Sequence, residues 1–222
     1  MQPIARYAFD LYGQLSRAGW HQADLALLHS RYKVGLVISY DLVRANWKPF
    51  IVHLIGTASI AAWDSNNPDL IAAALIHSAL EFGRFPAGIW TRRHKLDFVA
   101  KHASDAIAKI IGDYYEARHQ PLLDTQADAA ARQPLLVHLR LANALDDILD
   151  EQGPVRTAKR IAELRDGAPG LLKLAAIAQQ VNAPSLATAF TEAASLSPAE
   201  PIAQEPGQGS FSVRRLAGRL AP

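Results

Sequence analysis

The chain has no cysteine among its 222 residues. This absence excludes disulfide bonds, catalytic thiols and zinc sites built from cysteine. The sequence also lacks any apolar run of about 18 residues, which is the length that indicates a membrane-spanning helix. Its N-terminus lacks the basic-then-apolar order of a secretory signal. We therefore expect a cytoplasmic protein with no membrane partner.

Charge of either sign is scarce and almost balanced. Charged residues make up 20% of the chain, and the formal net charge is +2. Proteins that bind nucleic acid through its phosphates carry a larger basic excess, so we expect no nucleic-acid partner. Hydrophobic residues make up 50% of the chain, which is enough for a folded core and too much for an intrinsically disordered protein.

Apolar residues recur at helical spacing along most of the chain, and no segment shows a clear alternation with a period of two. The sequence therefore predicts an all-α fold. Gly19 is placed to end a helix, Pro68 to begin one and Ser104 to cap one. The expected helices are Ala5 to Ala18, Ala23 to Leu42 (one helix or two), Pro49 to Trp63, Pro68 to Gly83, Arg92 to Ala100, Ser104 to Arg118, Gln133 to Glu151, Val155 to Leu164, Leu171 to Val181 and Pro184 to Ser195.

The composition changes near residue 197, where the chain becomes rich in proline, glycine and alanine and poor in large apolar residues. Such a stretch is typical of a mobile linker. We expect one helical domain over residues 1–196, followed by a linker and a flexible basic tail over residues 197–222. The tail contains Arg214, Arg215 and Arg219, which we expect to be solvated.

Two of the predicted helices each carry one histidine into apolar surroundings. His53 lies in the helix from Pro49 to Trp63, and His77 lies in the helix from Pro68 to Gly83. Two imidazoles that face a common interior would form a candidate ligand site. Two core histidines held by their neighbours would explain the same pattern, so both interpretations stay open here.

The helix from Gln133 to Glu151 contains further polar residues at helical spacing. Asn143 lies on a row of leucines, which indicates a hydrogen-bond partner in the interior. Asp147 lies one turn further along the same row. From their position near the end of this helix, Asp146, Asp147 and Asp150 are expected on its solvated face.

Four segments together resemble a known family. They are Arg44, the segment Pro49 to His53 (PFIVH), the segment Ala73 to Phe82 (AALIHSALEF) and the segment Leu141 to Asp147 (LANALDD). Their order and spacing resemble the HD-domain phosphohydrolases, most closely the (p)ppGpp hydrolase domain of the RelA/SpoT class. The resemblance covers roughly residues 25 to 150, and it implies an HD-like helical bundle.

In that family two histidines and two aspartates hold a divalent metal, which activates water for attack on phosphorus. The resemblance places the histidines at His53 and His77, but Ser78 and Asn143 stand where the family has aspartate. Glu81 is the only survivor of the family's acidic pair. Two neutral ligands make a poor cage for magnesium or manganese. We therefore expect no cofactor, with a divalent metal such as manganese, weakly held by the two histidines, as the alternative.

The resemblance and its departures imply a degenerate HD-like site that binds a small phosphorylated or nucleotide-like ligand, with hydrolysis weak or lost. Glu81, one turn after His77, is the candidate catalytic acid or base. One alternative is an active metal-dependent phosphohydrolase with an altered site, and another is a structural protein with a vestigial pocket. The expected ligand-binding residues are Arg44, His53, His77, Ser78, Asn143 and Asp147.

Overall fold

The computed structural model describes residues 2–44, 48–124, 132–149 and 167–195, together with strand residues 214 and 215. The predicted all-α fold is confirmed. None of the helices in these residues is long and apolar enough to cross a lipid bilayer. The helices are α1 (Ala8–Arg17), α2 (Gln22–Ser39), α3 (Phe50–Ala61), α4 (Pro68–Ala74), α5 (Ala79–Phe82), α6 (Arg92–His102), α7 (Asp105–Ala117), α8 (Pro134–Ile148), α9 (Gly167–Gln180) and α10 (Pro184–Ser195), with a 3-10 turn at Leu122–Asp124.

Helix α3 lies at the centre of the bundle. All of its residues from His53 to Ala61 are buried, because apolar or small side chains cover every face of the helix. Helices α8 and α4 pack along it, and α1 and α2 make further contacts. Any polar side chain on α3 is therefore placed inside the protein, where it needs a partner.

Three predicted helix boundaries are confirmed. Gly19 follows α1 with φ of +91°, and the N–H of Trp20 donates to the Leu15 carbonyl at 3.1 Å, which closes the helix end in the way glycine permits. Pro68 is the first residue of α4. The Ser104 hydroxyl caps α7 by accepting a backbone N–H at 3.1 Å.

The prediction of one continuous helix from Pro68 to Gly83 is wrong. The helix ends at Ala74 and resumes at Ala79 as the short α5, so His77 lies in the turn between them. The backbone there makes tight bonds between residues three apart, at distances of 2.8–3.0 Å. Such bonds tighten a helix and commonly end it.

The break lies where α2 meets this segment. Gly35 of α2 sits against the backbone carbonyl of Leu75 so closely that a Cβ atom at residue 35 would collide with it. Glycine allows this approach because it has no side chain. The contact joins residues distant in sequence, which is why helical periodicity alone does not reveal the interruption.

A short strand pair is a second difference from the prediction, which contained no strand. Strand β1 (Leu42–Val43) pairs antiparallel with β2 (Arg214–Arg215), and the register sets Leu42 opposite Arg215. Two residues per strand are too few to produce a recognisable alternation. The pair joins part of the predicted tail to the segment that leads into α3.

Several predictions fall on residues outside the described part of the chain. These include the helix from Val155 to Leu164 and most of the linker and tail over residues 197–222. The domain boundary at residue 196 therefore stays a prediction.

Helices α9 and α10 pack against each other as a helical hairpin. Asn182 turns the chain between them in the left-handed region, with φ of +56°. The carboxylate of Asp64, in the loop after α3, accepts the N–H groups of Ser185 and Leu186, each at 2.9 Å. This carboxylate caps the start of α10 and anchors the hairpin to the central helix.

Candidate functional site

A buried carboxylate, Asp146 on α8, lies at the centre of the candidate site. Only 1% of the residue is exposed. Its Oδ2 lies 2.6 Å from Nδ1 of His53 and 3.4 Å from Nζ of Lys48, and its Oδ1 pairs with the guanidinium of Arg6. Three basic side chains from different parts of the chain therefore converge on one carboxylate.

The charge state of Asp146 follows from these partners. Burial by itself would raise the pKa of this carboxyl group, but the hydrogen bond and charge of His53 oppose burial, as do the charges of Lys48 and Arg6. The net result is a pKa below the ordinary value for aspartate. Asp146 is therefore ionised at neutral pH and can only accept hydrogen bonds.

This charge state assigns the tautomer of His53. An ionised Asp146 has no proton to give, so Nδ1 of His53 carries the hydrogen and donates it. Nη1 of Arg44 also lies 2.8 Å from this nitrogen, but two N–H groups cannot bond to each other, and Arg44 donates instead to Asp147. Nε2 is then the ring nitrogen of His53 that can face a ligand.

The N-terminal segment and a glycine of α3 together place Arg6 in the core. The N–H of Ala5 donates to the Ser59 hydroxyl of α3 at 2.8 Å, which holds the segment against the helix. A Cβ atom at Gly56 would collide with both the Asp146 carboxylate and the Arg6 guanidinium. The missing side chain at residue 56 therefore makes the space that this ion pair occupies.

Arg44 and Lys48 both reach the site, and a backbone hydrogen bond joins them. The N–H of Arg44 donates to the Lys48 carbonyl at 2.9 Å. Lys48 faces the buried Asp146, whereas Arg44 pairs with Asp147. The side chains of Arg44 and Asp147 are 13% and 19% exposed, so this second pair lies nearer to solvent than the first.

His77 is as buried as Asp146, since each residue is 1% exposed. Its ring centroid lies 5.4 Å from that of His53 and 5.0 Å from that of Tyr114. Its Nδ1 donates to the Ala74 carbonyl at 2.8 Å. Burial, helped by the nearby His53, lowers the pKa of His77 to about 3, so the ring is neutral at physiological pH. Its Nε2 has no hydrogen-bond partner among the described residues.

The remaining predicted residues lie around these groups. Ser78 follows His77 and is half-buried, and Asn143 is half-buried on α8, one turn before Asp147. Glu81 is exposed. Burial raises the pKa of Tyr114 above its ordinary value, and the charges of Asp147 and then Glu81 act in the same direction.

The structure thus brings together four of the predicted residues, which are Arg44, His53, His77 and Asp147. Ser78 and Asn143 neighbour two of them in sequence, and Glu81 lies at the exposed side of α5. None of the contacts described above tests the roles predicted for these seven residues, which stay predictions.

The expectation that Asp146 lies on the solvated face of its helix is wrong, because the residue is 1% exposed. Asp147 is also half-buried, and Asp150 lies outside the described residues. Asp146 follows Ala142 by one helical turn, and Ala142 belongs to the apolar stripe of the same helix. That spacing is the sequence signal that would have placed Asp146 inside.

Sequence reasoning also missed three other residues of the site. Arg6 and Lys48 are buried partners of Asp146, and Tyr114 packs edge-on against His77. Each reaches the site from a separate element, so no local pattern links them to the histidines.

The sequence resemblance implies a divalent metal. Its fit to the site depends on the donor atoms that the side chains offer and on the charges around them. One donor atom each from His53, Asp146 and Asp147 lies within 4.8 Å of the others. However, the two carboxylates already pair with three side-chain cations. A divalent ion would add its charge next to these cations in a poorly solvated site, where repulsion is strong. The arrangement therefore does not fit a resident metal.

No protein-family model matches the chain, and no curated protein matches its sequence.

Proposed function

We propose that this site binds a small phosphorylated ligand and does not hydrolyse it through a metal. The supporting observation is the convergence of cationic side chains. Arg6, Arg44 and Lys48 meet at Asp146 and Asp147 inside the protein. Cationic hydrogen-bond donors grouped in this way suit the oxygens of a phosphate.

Arg44 is the group that would contact the ligand. Its guanidinium has five N–H donors in a plane, a geometry that suits phosphate oxygens. It lies nearer to solvent than the Arg6 pair, as its 13% exposed side chain indicates. A phosphate at this position would share the guanidinium with Asp147.

The other residues have supporting roles in this proposal. Asp146 holds His53 through Nδ1 and keeps the ring in one orientation. Arg6 and Lys48 keep the Asp146 carboxylate ionised, because their charges favour the deprotonated form. The resulting network pre-organises the cationic side of the pocket before the ligand arrives.

Arg44→Gln provides the test, with Arg92→Gln as the matched control. Both arginines pair with a carboxylate, but Arg92 pairs with Glu116 on the exposed surface of α6 and α7. Calorimetric titration with inorganic phosphate and with adenosine monophosphate should show at least about tenfold weaker binding for Arg44→Gln, equal to about 1.4 kcal/mol. Arg92→Gln should bind like the unmodified protein.

Two results would overturn this proposal. One is the absence of binding for every phosphate tested, which would favour a structural protein with a vestigial pocket. The other is an equal effect of the two substitutions, which would show that Arg44 does not contact the ligand.

A metal-dependent phosphohydrolase is the second candidate. It is favoured by the proximity of the donor atoms of His53, Asp146 and Asp147 and opposed by the cations around them. Metal analysis of the purified protein, combined with a phosphatase screen with and without manganese, separates the two candidates. Tightly bound metal at one equivalent, with manganese-dependent hydrolysis, would favour the second.

A further inference from the structure

The unpartnered nitrogen of His77 limits the chemical groups that a ligand can place against it. His77 is 1% exposed, and its Nδ1–H is committed to the Ala74 carbonyl at 2.8 Å. In a neutral imidazole the other nitrogen is a hydrogen-bond acceptor. Nε2 of His77 is therefore a buried acceptor without a partner among the described residues, and a donor placed against it would recover the free energy that its burial costs.

An acceptor of this kind cannot bind the phosphoryl group itself. The oxygens of a phosphate dianion are acceptors, so they would be repelled by the Nε2 lone pair. Nε2 needs a hydroxyl or amino group as its donor. The ligand must then combine an anionic group for Arg44 with a hydrogen-bond donor for His77.

The distances among the side chains bear on how one ligand makes both contacts. Nη1 of Arg44 lies 2.8 Å from His53 Nδ1, and the His53 ring lies 5.4 Å, centroid to centroid, from the His77 ring. The arginine and the second histidine thus both lie beside the His53 ring. A compact molecule with its phosphate and its donor a few bonds apart suits two contacts around one ring.

We infer that the ligand is a hydroxylated phosphate, such as a sugar phosphate or the ribose phosphate of a nucleotide, whose hydroxyl group donates to Nε2 of His77. This inference rests on the proposed function, because it assigns the phosphate to Arg44. His77 is a specificity residue in this arrangement. It separates hydroxylated phosphates from apolar phosphate esters of similar size.

Matched ligands test the inference directly. Glycerol 3-phosphate and propyl phosphate have the same three-carbon chain, and only the first carries hydroxyl groups; ribose 5-phosphate extends the comparison to a sugar ring. The unmodified protein should bind the hydroxylated esters about three- to tenfold more tightly, as expected for one hydrogen bond to a buried acceptor.

Two substitutions at His77 test whether this residue causes the preference. His77→Phe keeps a ring of similar volume but removes the acceptor, so the variant should no longer distinguish glycerol 3-phosphate from propyl phosphate. His77→Gln keeps an acceptor oxygen and should restore part of the preference. Circular dichroism shows whether each variant is folded.

A measurement on the unmodified protein covers the case in which a variant does not fold. The ¹⁵N chemical shift of His77 Nε2 should move when glycerol 3-phosphate binds and stay constant when propyl phosphate binds. Equal affinities for the two esters, or a preference that survives in His77→Phe, would overturn the inference but leave the phosphate proposal intact. Absence of binding for all esters and for inorganic phosphate would overturn both.

Discussion

His53 and Asp146, 93 residues apart in sequence, meet through a 2.6 Å contact between Nδ1 and Oδ2 in the centre of the protein. The contact joins α3 to α8, so it belongs to the packing of the bundle. It also orients the imidazole and, in the proposed function, determines which ring nitrogen faces the ligand. Substitutions at this pair would then change stability and binding together, and experiments on the site need controls that separate them.

Asp146→Asn should destabilise the protein strongly. The substitution removes the charge that compensates Arg6 and Lys48, both of which are buried. Breaking a buried ion pair from one side typically costs about 3–5 kcal/mol. Urea unfolding followed by circular dichroism measures the change in the free energy of unfolding.

Asp147→Asn is the matched control for this experiment. It removes a neighbouring carboxylate of the same helix, which pairs with Arg44 nearer to solvent. Its cost should be smaller, about 1–3 kcal/mol, because this pair involves fewer buried cations than Asp146 and lies nearer to solvent. Equal losses in the two variants would show that the buried network around Asp146 contributes no more to the free energy of unfolding than the pair of Arg44 and Asp147.

Gly56→Ala should also destabilise the protein, by about 2–4 kcal/mol, because a methyl group at this position would force apart Asp146 and Arg6. Gly13→Ala in α1 is the matched control. Its Cβ atom would meet only the end of the Arg17 side chain, at 3.4 Å. Since alanine favours helix over glycine, this variant should be neutral or more stable by up to about 1 kcal/mol.

Thermal and urea unfolding of both glycine variants provide the comparison. A Gly56→Ala protein as stable as Gly13→Ala would mean that the ion pair has room to shift. The role assigned to Gly56 in making that space would then be wrong.

Local sequence patterns predicted most helices, because the interactions that form and end a helix act between neighbouring residues. Helical periodicity and end residues such as Gly19, Pro68 and Ser104 act within a few residues of each other. The interruption before His77 lies where Gly35 of α2 approaches the Leu75 carbonyl. A contact between segments that are distant in sequence is not visible in local patterns.

The candidate site was predictable only in part, for a related reason. His53 and His77 lie on strongly apolar segments, which indicates the interior. Asp146 carries a charge, and a charge normally indicates the surface. Its burial is compensated by Arg6 and Lys48, whose positions relative to α8 are set only by the tertiary fold.

We expect purified protein to contain well under one equivalent of manganese, iron or zinc. Ser78→Asp combined with Asn143→Asp should raise the bound metal, because ionised oxygens are the preferred ligands of hard cations. Elemental analysis after exhaustive dialysis measures the content. Metal at one equivalent in the unmodified protein would show that other residues have replaced the missing ligands.

A matched double variant controls for the added negative charge. Ser16→Asp with Asn66→Asp introduces the same residue types at exposed positions of the described structure. It should leave the metal content unchanged. A similar rise in both double variants would indicate non-specific binding to added carboxylates.

The last prediction concerns the pH dependence of stability. The pKa of His77 is lowered from 6.5 to about 3 in the folded protein, first by burial and then by His53. Between these pH values the unfolded chain binds a proton that the folded protein does not bind. As far as His77 is concerned, stability is therefore greatest above pH 6.5. As the pH falls from 6.5 toward 3, this residue should lower the free energy of unfolding by about 1.4 kcal/mol for each pH unit.

Urea unfolding between pH 4 and pH 7 tests this contribution. In this range Asp146 does not add to the pH dependence, because its lowered pKa weakens the fold only as the pH falls below the ordinary aspartate range. His77→Gln should flatten the pH profile by about one proton. His138→Gln should flatten it in the same direction, since burial also lowers the pKa of His138. His94→Gln, at an exposed position, provides the comparison with a surface histidine. A His77→Gln profile parallel to that of the unmodified protein would show that the pKa of His77 is the same in the folded and unfolded chains. His77 would then not lie in the apolar surroundings described above.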